Sequence, residues 1–186
     1  MVRILAVEDG GFKSKFFWSK RKGKTFLVCV LVDDFKIEKI FLSYVTVDGL
    51  DATTCLSKII RKIRDKLDVI MLASIAYAGF NLVDPEKILN QFKVPILIVN
   101  PKKPNDKAVE FALKKHFKDW MERLSIVRKA GKPSPLKVNE KIVYVYCFGL
   151  KVEEAEKLVK HLTVFGVRPE PLRVANLIAH GLGMVN

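Results

Sequence analysis

Along the amino-terminal third of the chain, apolar and β-branched residues fall in short runs broken by turn-forming residues. The pattern predicts strands over 2–8, roughly 25–32 and 38–47. After Asp48 the period changes. In DATTCLSKIIRKIRDKL, Leu56, Ile59, Ile60 and Ile63 recur at helical spacing with basic residues opposite, and Thr53 or Thr54 is a candidate cap. Two runs too apolar for an exposed edge follow, Val69 to Ala76 and Val94 to Asn100, with a helix predicted between them from Asp84-Pro85. The longest helical signal runs from Asp106 to Lys129, where Val109, Ala112, Leu113, Phe117, Trp120, Leu124 and Val127 form one stripe that GKPSP stops. A strand in KIVYVYCFG, a helix in VEEAEKLVKHL and a last helix from RPEP complete the pattern.

Three strands in hairpin order followed by alternating helices and strands predict an α/β protein. Its mixed sheet starts with antiparallel strands, adds later ones in parallel and is flanked by helices. That order matches a ribonuclease H-like fold. Neither GxGxxG nor GKS/T is present, so the nucleotide-binding loops of Rossmann and P-loop proteins are excluded. A chain of 186 residues suits one domain, 1–186. Met1 leads straight into a strand pattern and no apolar run approaches the ~18 residues of a membrane span. A cytoplasmic protein with no membrane partner is expected. Cys29, Cys55 and Cys147 lack CxxC or zinc spacing, which predicts reduced thiols.

Charge adds a partner. The formal net charge is +13, with basic residues spread along the chain, and this predicts a polyanionic ligand such as nucleic acid. The stretch Gly10 to Lys24 interleaves Phe12, Phe16, Phe17 and Trp18 with Lys13, Lys15, Lys20, Arg21, Lys22 and Lys24. Aromatic faces beside cations stack bases and attract phosphates, although the same pattern also describes a hairpin with buried rings and solvated lysines. PKKPNDK, with Lys102 and Lys103, is a second phosphate-facing candidate.

Two of the predicted strands end in carboxylates: Glu8 and Asp9 after the first, Asp48 and Asp51 after the third. Carboxylates on neighbouring strand ends repel unless a cation or proton lies between them, so a hard ion, Mg²⁺ or Mn²⁺, is the expected cofactor. Successive strand residues face opposite ways, which leaves Glu8 against Asp9 and Asp48 against Asp51 open. Turn chemistry accounts for Asp33 and Asp34. His116, His161 and His180 have no predicted partner, and no nucleophile-elbow pattern surrounds a serine.

VEDGGF, VTVDGLDAT, IAYAGFNLVD, VPILIVNPKKP and RPEPLRVANLIA together resemble, in order and over nearly the whole chain, the archaeal family called domain of unknown function 99. That family is itself similar to endonuclease V, a ribonuclease H-like, Mg²⁺-dependent nuclease acting near deaminated bases. The resemblance implies that Glu8, with Asp9 as neighbour, and Asp48 are metal-site carboxylates. It also implies that Lys102 or Lys103 steadies a phosphate and that Asn176 follows the closing motif where relatives carry histidine or aspartate. The aspartate expected after the fourth strand falls on Ala73, which removes a ligand and a negative charge. Asn81 and Asp84 lie downstream, where they either compensate or shape the loop and cap the next helix.

Three function classes follow. The first is a Mg²⁺- or Mn²⁺-dependent nuclease on DNA or RNA, with a place in nucleic-acid repair. The second is a non-catalytic nucleic-acid-binding module. The third is an interaction subunit using the 106–129 helix and the aromatic hairpin.

Overall fold

The computed structural model describes residues 1–10, 23–63 and 66–185. Phe12, Lys13, Lys15, Phe17, Trp18 and Arg21 lie outside them. Strands β1 (Arg3–Asp9), β2 (Lys24–Asp33) and β3 (Lys36–Thr46) form the expected antiparallel meander, turning at Asp34, whose φ of 52° is left-handed. β4 (Val69–Leu72) pairs parallel with β1, and β7 (Ile96–Asn100) pairs parallel with β4. β9 (Lys141–Phe148) closes antiparallel on β7 and carries β8 (Ser134–Val138) at the far edge. The sheet order is β3-β2-β1-β4-β7-β9-β8. A small hairpin, β5 (Ala76–Tyr77) and β6 (Asn81–Leu82), stands outside it.

This topology sends β1, β3, β4 and β7 in one direction. Their carboxyl ends lie along one rim of the sheet, where crevices form in open α/β structures. Alternation along each strand divides the core between two faces. Leu5 and Val7 pack with Leu56, Ile59 and Ile60 of α1 (Ala52–Ile60) and Ile88 of α2 (Pro85–Phe92). Ile4 and Ala6 pack with Ala155 and Val159 of α5 (Val152–Leu162) and Leu172, Ala175 and Ala179 of α6 (Glu170–Val185).

Four local expectations change. The run Val69 to Ala76 is not one strand: β4 ends at Leu72, and Ala76 belongs to the separate β5–β6 hairpin. Thr53 and Thr54 do not cap α1: Thr53 Oγ1 donates to the Leu82 carbonyl (3.3 Å), and the Ala52 N–H at the helix start donates to Asn81 Oδ1 (2.9 Å). The 106–129 stripe divides into α3 (Asp106–His116) and α4 (Trp120–Lys129), because Phe117 is extended at φ −127°. Its ring meets Phe80 edge-on at 5.5 Å and receives the Arg123 guanidinium at 4.3 Å, contacts that outweigh helix continuity. β8 escaped prediction because Lys132, Pro133 and Pro135 read as a helix stop. As an edge strand it accepts a proline. No helix of the described residues is long and apolar enough to cross a membrane.

Candidate active site at the carboxyl rim of the sheet

The end of β1 sends its two carboxylates to opposite faces. Glu8 continues the Ile4–Ala6 row toward α6, and Asp9 continues the Leu5–Val7 row toward the β5–β6 hairpin. Glu8 is 8% exposed. Its Oε2 lies 3.3 Å from Arg168 Nη1 and accepts from Asn176 Nδ2 at 3.4 Å, while Oε1 accepts the Asp9 N–H at 3.3 Å. Asn176 occupies the face of α6 that Leu172, Ala175 and Ala179 turn toward the sheet, which brings its amide to β1. Burial raises the Glu8 carboxyl to about 7, and the nearby Asp9 charge adds to the shift; Arg168 and Asn176 oppose it without reversing it. Asp9 is raised as well, chiefly by burial, although the Ala78 N–H donates to its Oδ2 at 2.6 Å.

Ala73 follows β4 on the same face as Glu8. Its N–H donates to the Val7 carbonyl (3.2 Å), and the parallel register Val7↔Leu72 sets Ala73 beside Glu8 in the sheet. On the α6 side of the rim, Glu8 therefore has a methyl group, an amide and a guanidinium around it.

Asp48, beyond the end of β3, is left-handed at φ 54°. Its N–H donates to the Ala78 carbonyl (2.8 Å), and its Oδ1 accepts the Phe80 N–H (2.9 Å). A Cβ on Gly79, itself at φ 84°, would land on the Asp48 carboxylate, so glycine allows this approach. Asp9 and Asp48 thus hold the same short loop, Ala78 to Phe80, from two sides. The Tyr77 hydroxyl donates across to the Val7 carbonyl (3.3 Å). Behind the loop, Arg123 is 2% exposed. It donates to the carbonyls of Gly49 (2.9 Å), Phe80 (2.6 Å) and Asp48 (3.0 Å), and both Nε and Nη2 reach the Asp119 carboxylate at 2.9 Å.

Asp51 has a structural task. It accepts from the Thr46 N–H (3.1 Å), Thr46 Oγ1 (2.8 Å) and Asn81 Nδ2 (2.5 Å). Burial pushes its carboxyl up, but the bonds from Asn81 and Thr46 prevail and hold it below the usual range. Asn81 also donates to the Thr46 carbonyl (2.8 Å), and Asp84 Oδ1 accepts the Lys87 N–H (3.0 Å) as the cap of α2. Both residues downstream of Ala73 therefore shape the backbone. Lys102 and Lys103 are exposed on the turn after β7, at the same rim, with no contact to Glu8 among the described residues. His180 lies on α6, where its charge acts on Asp9. Among the described residues, no group of three His, Cys, Asp or Glu side chains is placed to hold a metal ion. Arg168 and Arg123 went unpredicted; the position of Arg168 directly before PEP was the one available signal.

The mixed sheet with carboxylates along its rim is a ribonuclease H-like fold of the endonuclease V kind. It superposes on endonuclease V of Ciona intestinalis, solved with a 24mer DNA containing an inosine followed by a ribo-adenosine, at TM-score 0.57 and 11% identity, covering 96% of this chain and 84% of that one. The chain belongs to the Endonuclease dU family, which matches residues 1–183. A UPF0215 protein of Thermococcus gammatolerans is 39% identical over 181 residues, 96% of this chain and 90% of the relative. The crystal structure of a protein of unknown function from Archaeoglobus fulgidus matches at TM-score 0.82 and 30% identity over 96% of both chains.

Proposed function

We propose that this protein is an endonuclease that cuts nucleic acid at deaminated bases, with deoxyuridine-containing DNA as its first substrate, and that it serves nucleic-acid repair in the cytoplasm. The observation that carries the reading is Glu8, a buried carboxylate oriented by Asn176 and Arg168 on the rim where β1, β3, β4 and β7 end. Membership of the Endonuclease dU family supplies the base. The endonuclease V relative bound to inosine-containing DNA supports the substrate class. With no ion on it, a carboxyl raised to about 7 accepts a proton from water near neutral pH, the property required of a general base. Lys102 and Lys103 supply positive charge to the phosphodiester at the same rim.

The donor chemistry fits one weakly held hard ion. Glu8 and Asp9 are adjacent carboxylates that burial pushes up, with the Asp9 charge adding to the shift of Glu8, which is the electrostatics a divalent cation relieves. With Ala73 bringing no oxygen and Arg168 already on Glu8, the α6 face does not fit a three-carboxylate centre for two ions. Glu8 and Asp9, the adjacent pair, are the residues that would hold one Mg²⁺ or Mn²⁺ in place of a proton, whereas Asp48 is engaged by the Phe80 N–H and Asn176 presents its amide nitrogen to Glu8. When bound, the ion supplies Lewis acidity to water or to a phosphoryl oxygen.

The test uses labelled duplexes carrying deoxyuridine, inosine or no lesion, incubated with pure protein in Mg²⁺ or Mn²⁺. Cutting at deoxyuridine, reduced about 100-fold or more by Glu8→Gln, is the expected result. Absence of cutting in either ion, or equal cutting by Glu8→Gln, overturns it. The Ala73 methyl favours a second reading, a module that binds nucleic acid without cutting it. Salt-sensitive, metal-independent binding with no product from any duplex would select that reading.

A further inference from the structure

We propose that Arg168 is the phosphate-binding residue of this site, presented to a phosphodiester by Glu8. The inference rests on the reading that this rim meets nucleic acid. Arg168 precedes Pro169 at the entrance to α6, and its Nη1 approaches Glu8 Oε2 at 3.3 Å. The Glu8 side chain is 10% exposed and that of Arg168 is 31%. The carboxylate is therefore the inner partner and the guanidinium the outer one. Among the described residues, the Arg168 guanidinium has one hydrogen bond, from Nη1 to Glu8 Oε2, which leaves the other N–H donors of its planar fork for another acceptor.

Two features distinguish this pair from ordinary charge neutralisation. First, the bonds are loose: 3.3 Å from Arg168 and 3.4 Å from Asn176 to the same oxygen, against about 2.8 Å for a close charge-assisted bond. A bidentate phosphate gives a guanidinium a better-matched partner than this single long contact. Second, the methyl of Ala73 and the neutral amide of Asn176 add no negative charge on this face. The anion beside Arg168 in this structure, Glu8, is already offset by it. Engagement of Arg168 by phosphate sets the phosphodiester next to Glu8 on the rim.

Binding in EDTA separates this inference from the cutting reaction. A labelled deoxyuridine duplex is titrated by fluorescence anisotropy at several salt concentrations, with thermal melts confirming that each variant is folded. Arg168→Gln is expected to weaken binding about tenfold and to reduce the slope of log K against log salt by about 1. Arg168→Lys should recover about threefold of the loss, because a point charge restores attraction but not the fork. Glu8→Gln should tighten binding about threefold in the wild-type background and leave it unchanged when Arg168 is Gln. Lys137→Gln, which removes a charge from the distant edge strand β8, should shift affinity by less than about twofold.

The inference is overturned if Arg168→Gln binds like wild type, if its loss equals that of Lys137→Gln, or if the Glu8→Gln gain persists without Arg168. Failure of the endonuclease reading has a different signature: this binding cycle holds in EDTA while no duplex is cut in Mg²⁺ or Mn²⁺.

Discussion

The two carboxylate-tipped strands live in opposite circumstances. Asp48 belongs to a clamped corner. Its main chain is fixed by Arg123 and Ala78, its side chain by the Phe80 N–H, and Gly79 packs against it without a side chain. Glu8 occupies a buried place with long bonds from Arg168 and Asn176, beside a second carboxylate that repels it. One end of the rim is stabilised as structure and the other is held in electrostatic tension. Tension of this kind, a charge in low dielectric with incomplete compensation, is the usual physical mark of a reactive position. The comparison teaches that a shared pattern, carboxylate after strand, yields a scaffold corner in one place and a chemically poised group in the other.

The comparison breaks most visibly at Arg123. Arg123→Met removes a buried cation from Asp119 and strips donors from the carbonyls of Asp48, Gly49 and Phe80. Loss of about 3–5 kcal/mol is expected in urea unfolding. A change below about 1 kcal/mol would mean that the corner is not clamped by this residue.

At Glu8 the comparison is sharpened by pH. The folded carboxyl, near 7, binds its proton more tightly than in the unfolded chain, near 4.5. Below about 4.5 both states are protonated and above about 7 both are ionised. Between those values the native state holds more proton, so this contribution to stability is full at low pH and is lost as pH rises through 7. The amount is at most about 3 kcal/mol. Asp9, also raised, acts with the same sign. The difference in unfolding free energy between wild type and Glu8→Gln should therefore change across pH 4.5 to 7, with wild type losing ground as pH rises. A pH-independent difference would remove the case for tension at Glu8.

Gly79→Ala probes the corner more gently. The substitution strains a left-handed backbone and pushes a methyl into the Asp48 carboxylate, which should cost about 2 kcal/mol. Ala73→Asp tests the other end. It adds a carboxylate on the Glu8 face, and calorimetry should show Mn²⁺ affinity rising by about tenfold, close to 1.4 kcal/mol. No gain would show that Arg168 and Asn176, and not the missing carboxylate alone, oppose ion binding on that face.

Much of the fold was legible in the residues. The amphipathic α1, α5 and α6 follow from a period of 3.6, because each helix buries one face, and β1, β2, β4 and β7 follow from short β-branched apolar runs buried on both faces, whereas β3, legible as a strand, is an exposed edge. Asp84 before Pro85 announced a capped helix, and Asp34 a turn. The break between α3 and α4 was not legible. Its cause is the meeting of Phe117 with Phe80 and Arg123, residues from separate segments, whereas local apolar spacing carried the helix straight through. β8 was hidden for a related reason: its pairing with β9 overrides the prolines that local propensity reads as loop.

For the site, the sequence by itself determined the inventory: Glu8 and Asp9 after the first strand, Asp48 and Asp51 after the third, alanine at 73, asparagine at 176, and a strongly basic chain. Those identities follow from the order of residues along the chain. Only the tertiary structure decided what each one does. Strand pleating turned Glu8 to α6 and Asp9 to the hairpin, the return of α6 across the sheet set Arg168 and Asn176 on Glu8, and buried bonds from Thr46 and Asn81 made Asp51 a fastener. The physical reason is that charge and chemical type are local properties of a residue, while burial, partnership and the resulting proton affinity are sums over neighbours that folding brings together from distant segments.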